Sequence, residues 1–307
     1  MKMFQWVSAT VLAIVVAGAV PAAEPARTVD DVHPGVVRGA LSGAAVGDLP
    51  EGVLLKAETF QVTEKEFQAE VEKAQEIVRE SIRKNAPFFL EQMVEDRLIL
   101  EAAKKSAAAR KADIAGKSDP VIVMEYFEPV LAQVKSPGEA ELKEFYDKNV
   151  ALCGGASFDK VKEDLVGYLL QQKKEAAAAV YVRSLGQRTA ITVSAAWLKI
   201  QIPLCRDNSV DKVRSGGKPA VVGFGGKSCC GPDKMAPVLG AISEKFKDGV
   251  SVVIIEAKGE PVLSGRYGIR SIPAQIFFDK AGREVFRHEG LMSEEDVVKQ
   301  FQAMGVK

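Results

Sequence analysis

The chain has 307 residues, 41 basic against 41 acidic side chains, a formal net charge of zero, and 47% apolar and 27% charged residues. That length accommodates two domains, and the balance is ordinary for soluble globular protein. A nucleic-acid binder carries a basic excess or a clustered basic face, so the composition argues against that class.

Met1–Lys2 gives a short positive start, Val11–Val20 is an apolar run, and Ala17, Ala19, Ala22 and Ala23 offer small residues for cleavage. The run is too short for a membrane span and no stop-transfer pattern follows, so residues 1–23 read as a secretory signal peptide, with an uncleaved anchor as the alternative. Export to an oxidising compartment, here a periplasm of the Gram-negative type, allows disulfides to persist. The four cysteines, Cys153, Cys205, Cys229 and Cys230, permit three pairings, among which sequence does not choose. With His33 and His288 as the only histidines and no pair of spaced Cys-x-x-Cys motifs, a structural zinc site has no basis. No cofactor is expected either.

Residues 24–52 are rich in Gly, Pro, Ala and Asp without periodicity and read as a flexible lead-in. Val53–Phe60 reads as a short strand. Thr63 and Glu66 then form a capping box, behind which Phe67, Val71, Ala74, Val78 and Ile82 recur at helical spacing. A second helix is expected from about Pro87 to Ala109, followed by an Ala-, Lys- and Asp-rich linker at Ser106–Pro120. Ser136-Pro-Gly-Glu139 is a further helix start, with Leu142, Phe145 and Tyr146 on its apolar side. Ser157 opens a long helix to about Leu185. Residues 53–196 therefore read as an all-α module with a strand at one edge.

Four segments carry a resemblance: Thr63-Glu-Lys-Glu-Phe67, Phe89-Leu-Glu-Gln-Met-Val-Glu-Asp-Arg-Leu-Ile-Leu100, Glu141-Leu-Lys-Glu-Phe-Tyr-Asp147 and Ser157-Phe-Asp-Lys-Val-Lys-Glu-Asp-Leu165. In them the module resembles the N-terminal chaperone domain of the SurA-type periplasmic folding factors, relatives of the parvulin isomerases. The resemblance implies a module that holds unfolded polypeptide. No parvulin domain follows, so peptidyl-prolyl isomerase activity is not implied.

From Trp197 the periodicity changes. Leu198–Leu204 and Pro219–Phe224 read as strands, and Lys234–Lys247 as a helix. Ser251–Glu256 is a near-continuous apolar run, as in a strand covered on both faces. Gln275–Asp279 and Glu284–His288 flank a hairpin signal at Lys280-Ala-Gly-Arg283, and Ser293 caps a closing helix. Between strand and helix stands Val221-Val-Gly-Phe-Gly-Gly-Lys-Ser-Cys-Cys-Gly-Pro-Asp-Lys-Met-Ala-Pro237, and further on Tyr267-Gly-Ile-Arg-Ser-Ile-Pro273. In these landmarks, and in Gly282 and Gly290, residues 197–307 resemble the thioredoxin fold, an α/β domain with a central mixed sheet flanked by helices. The resemblance implies the element order β-α-β-α-β-α-β-β-α. It also implies a cis Ile272–Pro273 bond beside the thiol, and a binding edge built from Gly231, Pro232, Ile272 and Pro273.

The family's Cys-Gly-Pro-Cys is here Cys230-Gly231-Pro232-Asp233. The resemblance makes Cys230 the attacking sulfur at a helix N-terminus, where exposed amides lower a thiol pKa. Asp233 replaces the resolving cysteine and cannot form a disulfide, so the two-cysteine cycle through this motif is excluded. Asp233 either opposes the thiolate by like charge or relays a proton to it. The family's buried carboxylate falls at Gly223 and the tryptophan before its motif at Cys229. Cys229 is either a small apolar replacement or an alternative resolving thiol; a vicinal Cys229–Cys230 bridge departs from preferred geometry. Cys205 reads as a buried inert thiol and Cys153 as incidental in a Gly-rich turn.

Two functions fit. One is monothiol exchange by Cys230 on unfolded or cysteine-containing polypeptides, with Cys229, a redox partner or a small thiol completing the turnover. The other is a non-redox chaperone or adaptor that uses the second domain as a binding platform.

Overall fold

The computed structural model describes residues 27–150, 153–226 and 235–306. The signal-peptide segment and the motif residues Cys229, Cys230, Gly231, Pro232 and Asp233 lie outside the described residues. Among those described, no helix is long and apolar enough to cross a membrane.

The first unit comprises α1 (Val29–Val32), β1 (Ala45–Gly47), β2 (Val53–Lys56), β3 (Gln61–Thr63), α2 (Glu64–Lys73), α3 (Glu76–Lys84), α4 (Ala86–Ala109), α5 (Asp119–Leu131), α6 (Glu139–Lys148), α7 (Phe158–Arg188), β4 (Thr192–Ser194) and α8 (Ala195–Arg206). The capping box forms as its residues dictate: the Thr63 side chain accepts from the Glu66 amide, and the Glu66 carboxylate accepts from the Thr63 amide. Behind it Phe67 and Val71 enter a core shared with Leu90 and Val94 of α4.

Three expectations are corrected here. The lead-in is structured: Val29, Val36, Val37, Ala40, Leu41 and Ala44 are all buried in that core. Their apolar side chains are too unevenly spaced to show a period, yet burying them offsets the entropy of ordering the loop. The module is also more than helices with one strand, because β1–β4 form a sheet in the order β1-β4-β2-β3, and β1 runs parallel to β4 across a long sequence gap. Finally, Leu198–Leu204 is helical. Ser194 caps α8 by accepting from the Trp197 amide, and Leu198, Ile202 and Cys205 fill the first core at helical spacing. The segment is not a strand of the second unit, and its packing belongs to the first.

The long helix α7 spans 31 residues, about 46 Å at 1.5 Å per residue. Its second half lies on α4 and α5, with Gly186 set so close to Ala40 that an added Cβ would stand 2.3 Å from the Ala40 carbonyl oxygen. The first half carries α6 through a small core of Leu142, Leu165 and Leu169.

The second unit comprises α9 (Ser209–Arg214), β5 (Ala220–Gly225), α10 (Met235–Phe246), β6 (Ser251–Glu256), α11 (Pro261–Arg266), β7 (Ala274–Phe278), β8 (Glu284–Glu289) and α12 (Glu294–Ala303). Its mixed sheet runs β6-β5-β7-β8, with β5 parallel to β6 and β7 antiparallel to both neighbours. Strand alternation sends Val222 and Phe224 to a core under α9 and α11, and Val221 to a second core under α10 and α12.

With α8 helical, the expected leading strand is missing from this sheet among the described residues. This leaves β6 at an edge, so Ile254 is 41% exposed in a run expected to be covered on both faces. The two units meet at α11, where Val262 packs against the first core.

Candidate functional site

The carboxyl end of β5, the start of α10 and the loop before β7 converge. In sequence, the cysteine motif lies between Gly225, the last residue of β5, and Met235, the first of α10. Pro237 falls within α10, two residues after Met235. Across from this end stands Pro273, preceded by a cis bond to Ile272 as the family resemblance implies. A Cβ built on Gly225 would lie 4.0 Å from the Pro273 Cβ and 2.8 Å from Met235 Cε. The strand end, helix start and cis-proline are therefore close neighbours. Ile272 packs against the core beneath the site.

The ground under the motif is apolar. A Cβ on Gly223 would meet Leu239 Cδ1 at 2.6 Å and Met235 Sδ at 2.8 Å. The position where the family resemblance puts a proton-handling carboxylate is thus filled by a thioether, which also accepts from Gln275 Nε2 at 3.3 Å. A different carboxylate stands nearby. Glu256, at the end of β6, lies against Gly226, whose added Cβ would be 1.9 Å from Glu256 Oε1. Its approach comes from the parallel register that sets Gly225 beside Glu256, a pairing that sequence spacing does not reveal.

The first unit reaches this site as well. The Gly290 amide donates to the Pro273 carbonyl at 2.8 Å, tying the end of β8 to the cis-proline loop. Beside it, Glu289 accepts from Ser271 Oγ at 2.9 Å and from Gln172 Nε2 of α7 at 2.7 Å. Buried Asn149, just after α6, sits over Gly290 so closely that a Cβ there would come within 1.9 Å of Asn149 Oδ1. Glycine is required at 290 on that account and because its φ is +111°. Asn149, Gln172, Ser271 and Glu289 are functional candidates that sequence reasoning missed. Each is an unremarkable polar residue in a chain of many, and only the fold brings the four together.

The remaining described cysteines stand apart from this chemistry. Cys205 is a free thiol buried in the first core, and burial pushes it up to about 11, so it stays protonated at neutral pH. Cys153 is free and half-buried against the α6–α7 core, and burial raises it too. Neither has the lowered pKa that marks a nucleophile.

Comparison with known proteins bears on residues 206–305, which match the family model described as a thioredoxin-like domain. The chain is 30% identical over 132 residues to "Thioredoxin Y, chloroplastic" of Oryza sativa subsp. japonica, covering 42% of this chain and 77% of that protein. To "Thioredoxin-like protein slr0233" of Synechocystis sp. it is 30% identical over 96 residues, covering 31% of this chain and 90% of that one. Against "Thioredoxin Y2, chloroplastic" of Arabidopsis thaliana the identity is 33% over 93 residues, 30% of this chain and about half of that protein's length, at 54%.

Proposed function

We propose that this chain, which belongs to the thioredoxin-like family through its second unit, performs thiol-disulfide exchange on polypeptides by a one-cysteine route. The observation that carries the reading is the junction of Gly225, Met235 and cis-Pro273, between whose first two residues the Cys230 motif falls in sequence.

The Cys230 thiolate attacks one sulfur of a client disulfide. A bond forms between Cys230 and that sulfur, the client S–S bond breaks, and the other client sulfur leaves as a thiolate that takes a proton from solvent. Asp233 has no sulfur with which to continue. Cys229 or a small external thiol then attacks the mixed disulfide. If it strikes the Cys230 sulfur, the client sulfur leaves and is protonated and Cys230 stays bridged to the attacker; if it strikes the client sulfur, Cys230 leaves as thiolate and the client stays bridged to the attacker. Further external thiol clears the remaining bridge and is itself oxidised to its disulfide. The amides at the start of the following helix favour the thiolate, while Asp233 opposes it. Glu256, at the entrance to the motif, supplies a proton-accepting group in place of the carboxylate that Gly223 lacks.

The first unit supplies client holding, in the manner its resemblance to SurA-type chaperone domains implies, and export to the periplasm follows from the signal-peptide reading. A non-redox binding platform is the second reading. It is favoured by the apolar filling at Gly223 and by Gln172 and Asn149 pressing on the cis-proline edge. Insulin reduction with and without glutathione separates the two. Exchange that appears only with added glutathione supports the one-cysteine route. No exchange under either condition leaves the platform.

A further inference from the structure

A groove of about 650 Å³ runs between the two units, from α4, α5 and α7 on one side to the stretch between α11 and β8 on the other. The helical wall sets Phe88, Phe127 and Val180 among the polar side chains Gln92 and Arg183, and Val180 remains 70% exposed. Exposed apolar side chains that gather around a concave space mark a binding surface, where scattered ones do not.

The opposite wall is basic, and its charges are unequally engaged. Arg287 donates to the carbonyls of Tyr267 and Gly268 and pairs with Glu284 at 2.8 Å, so it is committed to holding its own loop. Arg270 is exposed and has no hydrogen bond or ion pair with any described residue. The acidic groups on the groove are all occupied. Glu91 accepts from the amides of Arg38, Gly39 and Leu41, Glu95 from Ala40, and Glu289 from Ser271 and Gln172. Of the other cations on the groove, Arg183 donates to the Arg38 carbonyl and Arg38 to the Tyr267 carbonyl and Glu284. The groove therefore presents apolar side chains and, in Arg270, a cation with no partner among the described residues, with its carboxylates already satisfied.

We propose that this groove binds an unfolded polypeptide segment, with apolar side chains against α4, α5 and α7 and a carboxylate on Arg270. A polypeptide fits because the groove sets apolar side chains opposite a cation, and its Glu289 accepts from Ser271 two residues before Pro273. That a segment held here presents a cysteine to the cis-proline edge rests on the thiol-exchange reading above; the preference of the groove for apolar and acidic sequence does not.

The test uses the full chain carrying Cys230→Ser, so that no exchange contributes, and fluorescein-labelled peptides in anisotropy titrations. The peptides share an apolar core with a serine in place of cysteine, and carry Glu, Gln or Lys beside that core. The Glu peptide should bind about threefold to tenfold more tightly than the Lys peptide, Arg270→Glu should reverse that order, and Val180→Asp should weaken all three. Equal affinity for the Glu and Lys peptides, or an order unchanged by Arg270→Glu in a variant of unaltered melting temperature, overturns the proposal. So does a groove that closes on a second copy, seen as a dimer that Val180→Asp converts to monomer without affecting peptide binding. If the charge preference holds while insulin is not reduced, the groove stands and the exchange reading falls. If insulin is reduced but the preference is absent, the reverse is true.

Discussion

Arg266 of α11 and Asp211 of α9 form a two-point ion pair, Nη1 to Oδ2 at 2.9 Å and Nη2 to Oδ1 at 3.1 Å, with the guanidinium wholly enclosed. The same guanidinium donates to the Cys205 carbonyl at 2.9 Å and reaches the Gly35 carbonyl at 3.4 Å, both in the first unit. One side chain thus fastens both units. Removing it leaves buried Asp211 with only the longer pairing to Arg214 at 3.6 Å, and breaking a buried pair in this way typically costs up to about 3–5 kcal/mol. Arg266→Ala should lower the urea midpoint accordingly, and Arg266→Met with Asp211→Leu should recover part of the loss. Equal stability of parent and Arg266→Ala would show that the pair does not join the units.

Glu91 makes stability depend on pH in an unusual direction. Burial and the neighbouring Glu95 push it up to about 7, against three backbone amides that favour its charged form. Below its ordinary value the group is protonated in both folded and unfolded chains, and its stabilising share is fully present. As pH rises toward about 7 the unfolded chain ionises first, so stability falls, by at most about 3 kcal/mol. Burial raises Glu95 as well and adds to the same trend. Urea midpoints at about pH 5 and pH 7.5 should fall further in the parent than in Glu91→Gln. Parallel profiles would contradict the assignment.

Restoring the missing carboxylate should fail. Asp at position 223 would drive its Cβ into Leu239 and Met235, and overpacking of this kind costs about 1–3 kcal/mol before the burial of a charge is added. Gly223→Asp should therefore melt well below the parent, and Gly223→Asp with Met235→Ala should recover some of the loss. A Gly223→Asp protein of full stability and faster exchange would mean that the space exists and that Met235 is not fixed there.

Much of the second unit was legible because its signals are local. The apolar run Ser251–Glu256 is a strand with those same bounds, the hairpin follows Lys280-Ala-Gly-Arg283, Ser293 caps α12, and the Ile272–Pro273 bond is cis. The stretch Leu198–Leu204 misleads because Leu198, Ile200, Ile202 and Leu204 alternate with Lys199, Gln201 and Pro203, which is strand periodicity. The fold buries Leu198 and Ile202, four apart, and leaves Ile200 and Leu204 65% and 51% exposed, so the apolar face is helical and the alternation is incidental. The Ala-, Lys- and Asp-rich stretch Ser106–Pro120 reads as linker to its end, yet Ser118-Asp119-Pro120 opens α5. Buried Val36, Val37 and Leu41 depend on Glu91 and Glu95 of a distant helix to satisfy the backbone around them, and no local pattern encodes that. The contacts of Gln172 and Asn149 with the cis-proline edge are hidden for the same reason.

The central claim is that Cys230 begins exchange and Asp233 prevents its completion, and trapping of mixed disulfides tests it most directly. Full-length parent, Cys230→Ser and Asp233→Cys proteins are incubated with a disulfide-bonded client, quenched in acid and examined by non-reducing mass spectrometry, with insulin reduction followed in parallel. The parent should accumulate a mixed disulfide through Cys230 that clears on adding glutathione, Cys230→Ser should trap none, and Asp233→Cys should release client and reduce insulin without help. Unchanged trapping in Cys230→Ser, or a parent that reduces insulin well by itself, would contradict the one-cysteine account.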